Sequence, residues 1–138
     1  MRAFKFLAFV LPLAISAVAC EGDIANIPTT PDPVTVTETF TGSININGAA
    51  THTFFTSATG TVSATLTSLG ENPPSAVGLS LGTISGSTCS LLLTNDRAVV
   101  TSSVTGTVTT LGGSLCVRIY DVGGLTATVP YEIRVSHQ

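Results

Sequence analysis

Acid–base or nucleophilic catalysis needs a base held beside a nucleophile or a metal. Histidine is the commonest such base, and the histidines are His52 and His137. His52 opens a short β pattern, His52 to Thr56, beside Phe54 and Phe55. His137 is the penultimate residue, where chain ends are usually mobile. Neither stands in a G-x-S-x-G, H-E-x-x-H or P-loop context. Asp121 precedes Val122-Gly123-Gly124 and reads as a turn former. The expectation is a protein without catalytic residues, cofactor or bound metal.

Binding chemistry has a better candidate in Ser114 to Gly124. Leu115, Val117 and Ile119 alternate with Cys116, Arg118 and Tyr120, so the two sets face opposite sides of one strand. Tyr120 is then expected to be exposed beside Arg118. An aromatic ring next to a guanidinium can stack on a sugar or hold a protein loop. Arg118 and Tyr120 are the predicted binding residues.

Composition sets the frame for these side chains. The 138 residues are enough for one domain. Charged residues are 9% of the chain, and 23 Thr and 14 Ser supply its polar surface instead. Threonine is β-branched and suits a pleated strand. After residue 19 the only basic side chains are Arg97, Arg118 and Arg134, against eight acids, which leaves −5. Binding a phosphate backbone needs clustered cations, so nucleic acid is not an expected partner.

Met1 to Lys5 is a short basic segment and Phe6 to Val18 an apolar one, broken by Pro12. This pattern predicts a signal peptide over residues 1–19. Ala17-Val18-Ala19-Cys20 resembles a bacterial lipobox, with Ala17 where that motif usually has Leu. The resemblance implies acylation of Cys20 and a membrane partner reached through the N-terminal lipid. Ordinary cleavage, with Cys20 as an incidental thiol, is the alternative. The expected location is the bacterial cell envelope, lipid-anchored, or otherwise the periplasm or medium. Glu21 to Pro33 carries Pro28, Pro31 and Pro33, so residues 20–33 read as an anchor and extended tether. Three cysteines allow three pairings; if Cys20 is acylated, only Cys89 with Cys116 remains. An exported chain favours that disulfide. Neither cysteine has a second ligand at C-x-x-C spacing, which argues against a metal.

Residues 34–138 read as the folded domain. Val34 to Asn47 alternates, with a bulge or kink expected at Gly42 and a turn at Asn47-Gly48. Thr61 to Leu69 places Val62, Ala64 and Leu66 inward. Val77, Leu79 and Leu81 share a face. Gly82 to Thr88 reads as a loop. Leu91-Leu92-Leu93 suggests a strand covered on both faces, ended by a turn at Asn95-Asp96-Arg97. Val99-Val100 and Val104 to Leu111 suggest one or two more strands, and Tyr131, Ile133 and Val135 the last. The sum is an all-β chain: an antiparallel β-sandwich, jelly-roll or Ig-like, of seven to nine strands.

Several of these stretches resemble the bacterial pre-peptidase C-terminal (PPC) domain, over roughly residues 38–136. They are Phe40-Thr41-Gly42, His52-Thr53-Phe54, Gly60 to Leu66, Cys116 to Asp121 and Tyr131 to Val135. The resemblance implies a jelly-roll sandwich of the kind appended to secreted peptidases. Calcium-binding members carry acids where this chain has Thr51, His52 and Thr53, and later Gly78 and Ser80, so no calcium is expected here. The functional expectation is a non-catalytic binding or interaction module for an envelope protein or an extracellular glycan. A purely structural envelope protein, or an accessory module of a peptidase, is the alternative.

Overall fold

Eight antiparallel strands build the protein in the computed structural model, which describes residues 30–138. The compact unit spans Asp32–Gln138. The strands are β1 (Val36–Ile44), β2 (Ala49–Thr56), β3 (Gly60–Ser68), β4 (Val77–Ser85), β5 (Thr88–Ala98), β6 (Ser103–Val108), β7 (Gly113–Tyr120) and β8 (Val129–His137). They form two four-stranded sheets, β1-β8-β3-β6 and β2-β7-β4-β5. All connections except the β4–β5 hairpin cross from one sheet to the other, and that order is a jelly roll.

Alternation along each strand decides its two faces. Val62, Ala64 and Leu66 of β3, Val77, Leu79 and Leu81 of β4, Val117 and Ile119 of β7, and Ile133 and Val135 of β8 meet in one core. The intervening hydroxyls pair across strands on the outside: Ser63 with Thr105 at 2.9 Å and Thr65 with Ser103 at 2.7 Å. These bonds show what the abundant Thr and Ser do.

Several expectations are corrected by the way the strands end. Gly82 to Thr88 is no loop: β4 runs to Ser85, and Gly86-Ser87 alone turns the chain, with Gly86 at φ 63°. Asn95-Asp96-Arg97 is no turn but a bulge inside β5, where Val77 pairs with Ala98 and Leu79 with Asn95. The Asn95 Oδ1 accepts from the Arg97 N–H at 3.0 Å, satisfying a donor that the bulge displaces. The real turn is Val99 to Ser102, which removes Val99 and Val100 from any strand. No register shift occurs at Gly42, which pairs with Tyr131. A Cβ there would lie 2.6 Å from the Tyr131 hydroxyl, so the glycine makes room for a ring rather than a bulge.

The leucine run is the largest reversal. Leu91, Leu92 and Leu93 are 36%, 67% and 40% exposed, because β5 is an edge strand and not a covered one. Local pattern cannot tell a central apolar strand from an exposed edge. Cys89 and Cys116 form the expected disulfide, with Cα atoms 5.9 Å apart. It links β5 to β7 across β4, and the β5 backbone at Ser90 lies directly over Gly82, where any Cβ would collide with it. The predicted signal peptide and Cys20 lie outside the described residues.

Candidate functional site

Arg118 and Tyr120 are held by β7 on the outer face of their sheet, as the alternation predicts. Tyr120 is half-buried rather than open. Its ring lies over Gly78, its register partner on β4, where a Cβ would overlap it. Its hydroxyl donates to Asp96 Oδ1. Asp96 reaches that hydroxyl from the β5 bulge opposite Gly78. Burial and the Asp96 bond both raise the Tyr120 pKa, so the phenol stays protonated and donating. The Arg118 Cζ is 6.0 Å from the Tyr120 ring centroid. Arg118 forms no ion pair among the described residues, and its shielded Nε has no hydrogen-bond partner.

These side chains line an open cleft of about 430 Å³ together with Asn47, Gly48, Ala49, Leu91 and Asp121. Asp121 is its structural post. Its Oδ2 accepts from the Asn47 N–H at 2.8 Å, and its Oδ1 from Gly123, Gly124 and Leu125 at 2.8, 2.9 and 3.1 Å. The Asn47 bond leads in holding this carboxyl below the usual range. Asn47 adopts φ 56° in the Asn45–Gly48 turn, and the Asp121 N–H donates to Gly48 O at 2.9 Å. One carboxylate thus locks the β1–β2 turn against the β7–β8 loop. The cleft keeps acceptor oxygens on Asp96 and donors on Arg118 beside the edge of a ring.

The histidines lie elsewhere, inside the sandwich where β1 meets β2. His52 is in the middle of β2, not at its start, and its Nε2 is 2.7 Å from the Tyr131 hydroxyl. It stacks on Phe40 at 4.9 Å. Burial lowers the His52 pKa and raises that of Tyr131. His137 is not a mobile end: it is the last residue of β8, 3% exposed, with Nε2 2.8 Å from Glu38 Oε1 and its ring 5.2 Å from Phe54. His52 adjoins the phenolic hydroxyl of Tyr131, and His137 the carboxylate of Glu38.

Of the residues lining this cleft, sequence reasoning singled out Arg118, Tyr120 and the Asn47-Gly48 turn but not Asp96. The available signal was a polar triplet inside a run of strand-forming residues, which marks a bulge as readily as a turn. Among the described residues no cluster of metal-ligating side chains occurs. The chain matches no protein-family model and no curated protein.

Proposed function

We propose that this chain is a non-catalytic, lipid-anchored binding module of the bacterial cell envelope that takes a hydroxyl-rich ligand, an extracellular glycan, in the Arg118–Tyr120 cleft. One observation carries the reading: Arg118 and Asp96 line the same open cleft without pairing to each other. Sugar hydroxyls both donate and accept. They suit a site offering carboxylate acceptors and guanidinium donors side by side, next to a ring. The cleft volume lies in the range of small-ligand sites. Asp121 contributes by fixing the cleft wall, since its oxygens are already taken up by backbone donors.

The anchor belongs to the same proposal. Acylation at Cys20, with residues 20–33 as a spacer, would hold the module at a membrane surface. Each buried methylene contributes about 0.8 kcal/mol, so several chains give stable attachment. The jelly-roll strand order supports the PPC-like reading of residues 34–138. An envelope protein as partner is the second reading, favoured by the exposed leucines of β5.

Glycan-array binding of the Cys20→Ser chain tests the ligand. Binding is expected, and Arg118→Ala or Asp96→Asn should reduce it about tenfold or more, as loss of a charge-assisted bond does. Unchanged binding in both variants, or none by the parent, refutes the cleft reading. Labelling with a radioactive fatty acid tests the anchor: Cys20→Ser should lose the label and leave the membrane fraction.

A further inference from the structure

We infer that the end of the sandwich at which β1 begins is a membrane-contact rim, set against the neutral headgroup layer of a phospholipid bilayer. This contact rests on the anchor proposed above and says which surface of the domain meets the lipid. At this end β1, β3, β5 and β7 start and β2, β4, β6 and β8 finish, joined by residues 57–59, 86–87 and 109–112. Four apolar side chains stand out from it. Val34 and Leu111 are 79% and 78% exposed, Phe55 is 60% and Val36 44%. Phe55 alternates with the buried Phe54 and so lies on the outer face of β2. Its ring extends to the 109–112 loop, where a Cβ on Gly112 would lie 3.5 Å from it. Val36 opens β1 opposite His137, whose ring meets Phe54 at 5.2 Å. The four side chains therefore belong to one end of the molecule.

Charge and chain entry name lipid as what covers this rim. Its three loops hold only Ser, Thr, Ala, Leu and Gly. Glu38, two residues into β1 from Val36, is bonded to His137. The Gln138 main-chain oxygen accepts from the Ser57 and Ala58 N–H groups at 2.9 and 3.3 Å. A rim of hydroxyls and apolar side chains can enter the headgroup layer without burying an ionised side chain. The opposite end also exposes Ile46, Val99 and Val122, but there they stand among Glu71, Asp96, Arg97 and Asp121. The exposed leucines of β5 lie along the side, between the two ends. The tether joins the domain at the uncharged end, because β1 begins there. At about 3.1 Å per residue, residues 20–33 span at most about 43 Å. A lipid on Cys20 thus keeps the rim close to the surface, and even weak insertion becomes an intramolecular event.

Contact at this rim also orients the glycan cleft. Gly113, at the rim, and Tyr120, in the cleft, are the two ends of β7. Seven steps of about 3.4 Å set the cleft about 24 Å from the rim, clear of the headgroups. The contact is apolar, so salt should not govern it. The net −5 after residue 19 disfavours anionic lipid and leaves a neutral headgroup as the match.

The chain from Cys20 onward, coupled through that thiol to a maleimide lipid in a phosphatidylcholine nanodisc, tests the contact. Cys89 and Cys116 are joined, so Cys20 alone reacts. The compact unit Asp32–Gln138 lies wholly within this chain. Nitroxide-labelled headgroups should broaden the amide signals of residues 57–59 and 109–112 about threefold or more beyond those of residues 121–124. Phe55→Ser with Leu111→Ser should abolish that difference and leave the melting temperature unchanged, since both side chains are exposed. Leu111→Ser alone changes only a loop tip and should shrink the difference about twofold, which keeps the test open if the double variant unfolds. Added salt should leave the pattern as it is. Equal broadening at both ends, broadening centred on β5, or a pattern indifferent to both variants overturns the inference. A pattern abolished by salt, or self-association of the uncoupled chain through Leu111, overturns it as well. Chemical coupling replaces acylation, so rim contact without a fatty-acid label in cells refutes the anchor reading alone.

Discussion

At one side of the sandwich β1 and β2 meet over Phe40, His52, Phe54, Tyr131 and His137; at the other, β5 and β6 face each other across an open apolar groove. The first side is filled by rings that bond to neighbouring strands, His52 to Tyr131 and His137 to Glu38, although the buried His137 Nδ1 has no partner. The second is lined by leucines and glycine, with Leu93 beside Gly106, and is tied down by a disulfide instead. A jelly roll must finish both sides. Here aromatic packing finishes one, and a covalent staple secures the other while leaving its surface uncovered.

Substitutions can break this contrast. The largest loss is expected at the filled side, where Phe54 is 5% exposed and packs between Phe40 and His137. Phe54→Ala should cost about 3–5 kcal/mol in a urea melt, from lost burial and the cavity left behind. At the stapled side, replacing Cys89 and Cys116 together by Ser should cost about 3–4 kcal/mol, the chain-entropy value for a loop of this length. If the disulfide secures β5, exchange protection should fall first in β5 and the adjoining part of β4.

A glycine pair sharpens the same contrast. A Cβ at Gly42 would lie 2.6 Å from the Tyr131 hydroxyl, which His52 holds in place. At Gly106 it would lie 2.7 Å from a Leu93 methyl that is free to swing toward solvent. Gly42→Ala should therefore cost about 1–3 kcal/mol by overpacking. Gly106→Ala should fall within about 0.5 kcal/mol of the parent. Equal losses in the two melts would mean that both sides are packed alike.

The smallest effect is a pH dependence. Burial holds the His52 pKa below its ordinary 6.5, so the unfolded chain binds more protons than the folded one just under that value. Its contribution is complete above about pH 6.5 and is lost as pH falls from there to the folded pKa, with no further loss below. Urea midpoints should drop across that window in the parent, and His52→Gln should flatten part of the drop. Glu38, Tyr131 and His137 are the titratable groups facing this pocket from β1 and β8, so the comparison with the variant isolates His52.

The sequence by itself determined which residues alternate, and so the all-β class and the inward faces of β3, β4, β7 and β8. A two-residue period is local and needs no knowledge of neighbours. Its cysteine count, together with the signal peptide expected over residues 1–19, pointed to the Cys89–Cys116 pair, and its Asn47-Gly48 dipeptide to a turn. Strand order is not local, and only the tertiary structure decided it. Leu91 to Leu93 look the same in sequence whether β5 ends the sheet or lies inside it. His137 reads as a loose end until β8 is seen pairing with β1 over its full length. Asp96 joins Arg118 and Tyr120 only because a bulge in one strand faces a glycine in the next, so that residues far apart in the chain share one cleft.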